Sequence, residues 1–194
     1  MNQFYETNHQ QYFAATVAID PSTFLAPLAD FLRPGATVLD VGCGSGRDLL
    51  WLRQRGFSAT GLELSPSLAR LASDHASCPV WQGDFCHYNF SDLSFAALVF
   101  VGSLVHQAKD AVPALLRSAC GALVAGGHIL LTMKEGQGRL LAPDGREFTL
   151  WSEDELAEVF RASSLQIVSF SRQRSQLQPD DIWLGYLLRM AKGG

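Results

Sequence analysis

The chain has 194 residues, of which 47% are hydrophobic and 18% charged, with a formal net charge of −4. That length suits one domain over residues 1–194, and so large an apolar share does not belong to a disordered chain. The acidic balance, without a block of like charge, leaves out the basic footprint of a nucleic-acid binder, and no apolar run reaches the roughly 18 residues of a membrane span.

Residues 1–33 read as helix in two pieces, broken near Asp20-Pro21, and form an N-terminal helical cap. Their start, Met1-Asn2-Gln3-Phe4-Tyr5-Glu6, has neither a basic stretch nor an apolar core of a signal peptide, so the expected location is cytoplasmic. The first strand is 37–41, entered through Arg33-Pro34-Gly35 and left through a glycine-rich turn. A helix over 45–55 follows, with Leu49, Leu50 and Leu52 inward and Gly56 past its end. The second strand is 58–62. Ser65 and Pro66 supply the cap and first position of a helix to about residue 75, and 79–82 is a short third strand. Residues 95–101 are nearly all apolar, as a strand covered on both faces must be.

A helix is predicted over 109–124, closed by Gly126-Gly127, with a strand over 128–133. The glycine- and proline-bearing stretch 135–149 reads as a loop or hairpin, long enough to be a lid. Ser152 and Glu155 form a capping box for a helix to about residue 162, and strands over 165–172 and 182–188 close the chain. The alternation is that of an α/β domain built on a mainly parallel, doubly wound sheet. Cys43, Cys78, Cys86 and Cys120 show neither metal-ligand nor disulfide-framework spacing, so free thiols and no metal site are expected.

The chemistry concentrates at Gly42-Cys43-Gly44-Ser45-Gly46, directly after Asp40-Val41. Three alternate glycines between a strand and a helix exceed what a simple turn needs, and they let a ligand lie against the backbone. The pattern is GxGxG, whereas a dinucleotide-binding turn reads GxGxxG. Asp40 would repel a pyrophosphate but can accept hydrogen bonds from a ligand ammonium. Glu63, where the second strand ends, suits the two hydroxyls of a ribose; alone it is a weak signal, an acid at a helix N-terminus being the lesser alternative. Asp84, in Gly83-Asp84-Phe85, follows the third strand, where its carboxylate can take an adenine amino group and the Phe85 amide a ring nitrogen.

These three sites, in this order and at successive strand ends, resemble the class I S-adenosylmethionine-dependent methyltransferases. Leu123-Val124-Ala125-Gly126-Gly127 is similar to that family's entry to its fifth strand, with Ala125 where proline is usual. Phe4-Tyr5-Glu6, Gln11-Tyr12-Phe13, Ser103-Leu104-Val105-His106, Glu147-Phe148-Thr149 and Asp181-Ile182-Trp183-Leu184 extend the likeness to a small bacterial group compared with tellurite-resistance methyltransferases. The resemblance implies a Rossmann-like, seven-stranded, mostly parallel sheet whose last strand is antiparallel and inserted beside the fifth. It also implies S-adenosylmethionine as cofactor, with S-adenosylhomocysteine as product, and a cofactor site of Tyr12, Asp40, Gly42, Cys43, Gly44, Gly46, Glu63, Leu64, Gly83, Asp84, Phe85, Val101 and Gly102.

A sulfonium donor leaves as a neutral thioether, so alignment and exclusion of water matter more than acid–base groups. His106, just beyond the fourth strand, is the candidate base for a hydroxyl or amine acceptor; a structural hydrogen bonder is the plainer reading. The acceptor expected is a small soluble molecule under a lid made by residues 1–20 and 135–149. The rival functions are an RNA or protein methyltransferase, which the charge balance disfavours, and a nicotinamide oxidoreductase, which the glycine spacing disfavours. Trp151, Trp183 and the cluster Arg172-Gln173-Arg174 read as packing residues and a solvated strand end.

Overall fold

The computed structural model describes residues 2–190. Its chain order is α1 (Asn2–Thr7), α2 (His9–Thr16), α3 (Ser22–Ala29), β1 (Thr37–Val41), α4 (Arg47–Gln54), β2 (Ser58–Glu63), α5 (Pro66–Ala76), β3 (Val80–Gln82) and β4 (Phe95–Val101). A single 3-10 turn, Leu104–His106, precedes α6 (Val112–Cys120), β5 (Leu123–Lys134), β6 (Arg139–Leu141), β7 (Glu147–Thr149), α7 (Glu153–Ala162), β8 (Leu165–Arg174) and β9 (Ile182–Met190).

Seven strands form one sheet in the order β3-β2-β1-β4-β5-β9-β8, and β6 pairs with β7 in a separate hairpin. The first five are parallel; β9 runs antiparallel between β5 and β8, as the resemblance implied. Side chains alternate across the central strands. Val38, Ala97, Val99 and Leu130 pack under α3, α4 and α5, while Leu39, Leu98, Phe100 and Ile129 pack under α6 and α7. The sheet is thus covered on both faces, which is why β4 at its centre has no polar residue. The chain order reverses between β1 and β4, and the crevice outside their carboxyl ends is where open α/β sheets bind ligands.

Two expectations change. The N-terminal region is three helices instead of two, because Asn8 leaves helical geometry and its side-chain amide donates to the Phe4 carbonyl, ending α1 one residue before α2 begins. The helix expected over 109–124 covers only Val112–Cys120. Gly121 and Ala122 turn back on the helix carbonyls, Phe95 N–H donates to Ala122 O, and Leu123 already pairs with Phe95, so the glycine pair lies inside β5. The capping box at Ser152 and Glu155 forms as expected. Among the described residues, no helix is long and apolar enough to cross a membrane.

Candidate functional site

All three glycines of the turn after β1 have left-handed backbones, with φ of +77° at Gly42, +54° at Gly44 and +75° at Gly46. Their neighbours differ. A Cβ on Gly42 would lie 2.5 Å from Ser103 Cβ, one on Gly44 would face Tyr12 at 3.3 Å, and one on Gly46 would strike the Ala72 backbone at 2.8 Å. Gly46 therefore serves close approach of α4 and α5, with its side away from the crevice, while Gly42 and Gly44 border the crevice itself.

Two connected hollows occupy the strand ends. The smaller, about 110 Å³, is bordered by Glu63, Leu64, Asp84, Phe85, Ser103 and His106. The larger, about 340 Å³, lies toward Cys43, Arg47, Asp48, Lys134, Arg146 and Trp183. Tyr5, Tyr12, Gly42, Gly44, Val101 and Gly102 border both. Of the residues the sequence nominated, Asp40, Gly46 and Gly83 do not border either hollow. Gly83 packs against Tyr88 and Leu62, and Asp40 lies beneath the glycine turn.

The acids differ in setting. Asp40 is buried, with Oδ2 lacking any hydrogen-bond partner among the described residues. Burial, aided by the nearby Asp48 carboxylate, pushes its pKa well above the usual carboxylate range, although Arg47 works against this. Arg47 grips Asp48 through Nε–Oδ1 and Nη2–Oδ2 contacts of 2.6 and 3.0 Å. Glu63, 7% exposed, accepts from Gly44 N–H and Ser65 N–H, each at 2.9 Å, so it braces the glycine turn. Burial raises its pKa, and those amides oppose the rise. Asp84 stands in solvent by comparison, accepting from Cys86 N–H at 2.9 Å and facing His87 Nδ1 at 3.0 Å.

Helix α1 lies over the crevice. Glu6 accepts from Ser65 Oγ and Ser67 Oγ, both at 2.5 Å, and from Ser67 N–H at 3.2 Å, crossing to the N-terminus of α5. Those bonds, the Ser65 hydroxyl first, bring its pKa down to about 2. Next to it Tyr5 O–H meets His106 Nε2 at 2.7 Å, and His106 Nδ1 meets the Glu147 carbonyl at 2.8 Å. A carbonyl only accepts, so Nδ1 carries the proton and Nε2 accepts from Tyr5. Burial lowers the His106 pKa, which favours this neutral form.

The β6–β7 hairpin adds Arg146, held by Asp144 at 2.7 Å and placed 5.2 Å from the Phe4 ring and 5.3 Å from the Phe148 ring. Lys134, at the carboxyl end of β5, pairs with Asp181 at 2.6 Å. Sequence reasoning missed Glu6, Arg47, Asp48, Lys134, Arg146 and Asp181. It assigned Trp183 to packing, yet Trp183 borders the larger hollow, and so do Gln173 and Arg174. Arg47 and Asp48 adjoin the glycine turn and were findable there; the others meet only through the fold. Trp151 is a packing residue as expected, 1% exposed beneath α7.

Residues 38–127 match a protein-family model described as a methyltransferase domain. The chain is 32% identical over 134 residues to a phosphoethanolamine N-methyltransferase of Triticum aestivum, covering 66% of this chain and 26% of that protein. It is 32% identical over 121 residues to a ubiquinone biosynthesis O-methyltransferase of Xanthomonas campestris pv. campestris, covering 59% and 50%. It thus spans half or less of the length of these relatives. Among solved structures, an S-adenosylmethionine-dependent methyltransferase of Methanosarcina mazei superposes with a TM-score of 0.77 at 18% identity, covering 90% of this chain and 99% of that one. A TehB-like methyltransferase of Corynebacterium glutamicum gives 0.72 at 22% identity, covering 98% and 100%.

Proposed function

We propose, from a chain that carries a class I S-adenosylmethionine-dependent methyltransferase domain, that it binds S-adenosylmethionine and moves the methyl to a small acceptor by in-line displacement. The observation that carries this reading is the pair of hollows meeting at Gly42, Gly44 and Gly102, at the point where the strand order reverses. When bound, S-adenosylmethionine supplies a methyl on a positively charged sulfur, the leaving group being a neutral thioether.

The residues present fit that group. Asp40 keeps an unpartnered carboxylate oxygen beneath the turn, which a ligand ammonium acting through a water would satisfy and re-ionise. Arg47 and Tyr12, which border the larger hollow, would hold the donor's amino-acid carboxylate. Glu63 retains lone pairs beyond the two that hold amides, enough for two ribose hydroxyls. In the smaller hollow, Leu64, Phe85 and Val101 offer apolar walls for a base, with Asp84 at its rim.

His106 borders only the smaller hollow, whereas Tyr5 borders both. A hydroxyl or amine acceptor therefore reaches the histidine through Tyr5: the acceptor proton passes to the Tyr5 oxygen as the Tyr5 proton passes to His106 Nε2. The Glu147 carbonyl keeps the imidazole oriented and steadies the imidazolium that results. Residues 1–20 and 135–149 act as the lid, excluding water and polymeric acceptors. The relatives' printed names, an N-methyltransferase and an O-methyltransferase of small molecules, support this reading of acceptor size.

Calorimetry tests the donor: S-adenosylhomocysteine is expected to bind and NADH is not, and the reverse would end the proposal. Methyl transfer across a small-molecule panel tests the acceptor. Strong labelling of bulk RNA or protein with little activity on the panel would overturn the lid argument.

A further inference from the structure

The floor of the larger hollow has a feature that donor binding does not use. Lys134 is 7% exposed at its side chain and Asp181 22%, with Nζ and Oδ2 2.6 Å apart. Nζ also sits 4.1 Å from the Phe148 ring centre. A buried ion pair seldom adds stability over apolar residues of the same size, so its place in a cavity wall calls for another reason. Among the described residues neither side chain has a second hydrogen bond, which leaves Lys134 with a spare N–H and Asp181 with a free Oδ1.

Trp183 lies between this pair and the junction of the two hollows. It pairs with Lys134 across β5 and β9, and its indole packs against Gly102, 3.5 Å from where a Cβ would stand. The other lining cations repeat the theme: Arg47 is matched to Asp48 and Arg146 to Asp144, while Arg174 is exposed at the rim. The wall thus presents dipolar pairs more than net charge. An anion brought to Lys134 meets Asp181, and a cation brought to Asp181 meets Lys134, each within contact range.

We propose that the acceptor is a neutral aromatic or heteroaromatic ring that rests on Trp183 and offers the Lys134–Asp181 pair an edge with one hydrogen-bond acceptor and one donor. A lactam-type edge or a phenolic hydroxyl has that chemistry. Its carbonyl or hydroxyl oxygen takes the Lys134 N–H, its N–H or O–H donates to Asp181, and the nucleophilic atom lies at the opposite end, toward Gly102. This rests on the methyltransferase reading and narrows its acceptor.

The test uses fragments on the full chain saturated with S-adenosylhomocysteine, at pH 7, followed by calorimetry and NMR. The probes are 2-pyridone, its saturated counterpart δ-valerolactam, benzoate and benzylamine. The expected result is that 2-pyridone binds at least about tenfold more tightly than each of the others. Lys134→Met and Asp181→Asn should each erase that preference while S-adenosylhomocysteine affinity stays within about twofold. Equal or tighter binding of benzoate or benzylamine, no detectable 2-pyridone binding, or an unchanged ranking in Lys134→Met would overturn the proposal. The ranking in the unsubstituted chain decides it even where a variant fails to fold. If S-adenosylhomocysteine itself did not bind, the donor reading would fall, and the same ranking on the unloaded protein would still decide the recognition edge.

Discussion

The smaller hollow is shaped largely by backbone turns at the ends of β1, β2 and β4, whereas the larger is closed by side chains from segments as distant as Arg47, Arg146 and Trp183, with Tyr5 and Tyr12 reaching into both. In the first, a carboxylate such as Glu63 holds two amides and the geometry is fixed before any ligand arrives. In the second, ion pairs and aromatic rings set the shape. Backbone geometry of the first kind constrains a site more tightly than side chains gathered from distant segments do.

The sharpest way to break that contrast is within the glycine turn. Gly46→Val should destabilise the whole domain by roughly 3 kcal/mol or more, since the new Cβ meets the Ala72 backbone at 2.8 Å on a left-handed residue. Denaturant unfolding measures this. Gly44→Val, two residues away, carries the same left-handed strain but faces only the Tyr12 side chain at 3.3 Å, so it should cost less stability than Gly46→Val and weaken S-adenosylhomocysteine binding at least about a hundredfold. Comparable unfolding by both substitutions would show that the turn has no separate ligand-facing side.

The relay comes next. His106→Ala should lower turnover about 10²-fold with S-adenosylhomocysteine affinity nearly intact, and Tyr5→Phe should act in the same direction. Because burial lowers the His106 pKa, the base is neutral at pH 7. The rate should be flat there and fall only as pH drops through a value below the usual 6.5. An acid limb that persists unchanged in His106→Ala would remove the histidine from the reaction.

The smallest effects compare two acids of one hollow. Glu63→Ala should weaken S-adenosylhomocysteine binding by roughly 1–3 kcal/mol through loss of charge-assisted bonds. Asp84→Ala should cost less than about 1 kcal/mol, because that carboxylate is half in water and already engaged with Cys86 and His87. Calorimetry on both variants decides whether burial sets the order.

How much was legible follows the same division. The β1 to β4 half was readable because each of its signals is local: the three glycines, the Ser65-Pro66 helix start, and the apolar run 95–101. The inserted β9 came from family resemblance and not from periodicity, since an antiparallel strand and a parallel edge strand carry the same pattern. Lys134 and Asp181 stand 47 positions apart, and only the pairing of β5 with β9 brings them together. Nothing near Glu6 in the chain announces Ser65 and Ser67. The helix expected over 109–124 ran long because the apolar Leu123-Val124 continues its periodicity, while hydrogen bonding to Phe95 claims those residues for the sheet.

Glu6 gives the N-terminal segment a thermodynamic price on opening that is charged to a different helix. Were α1 to swing away, the carboxylate would leave Ser65 and Ser67, and the first turn of α5 would lose its cross-chain cap. Lid motion should thus be visible far from the lid, as faster amide exchange at Ser67. Closure holds the Glu6 pKa down at about 2 against 4.5 for the free carboxyl, so that signal should stay constant at neutral pH and grow as pH falls through the free value toward the depressed one.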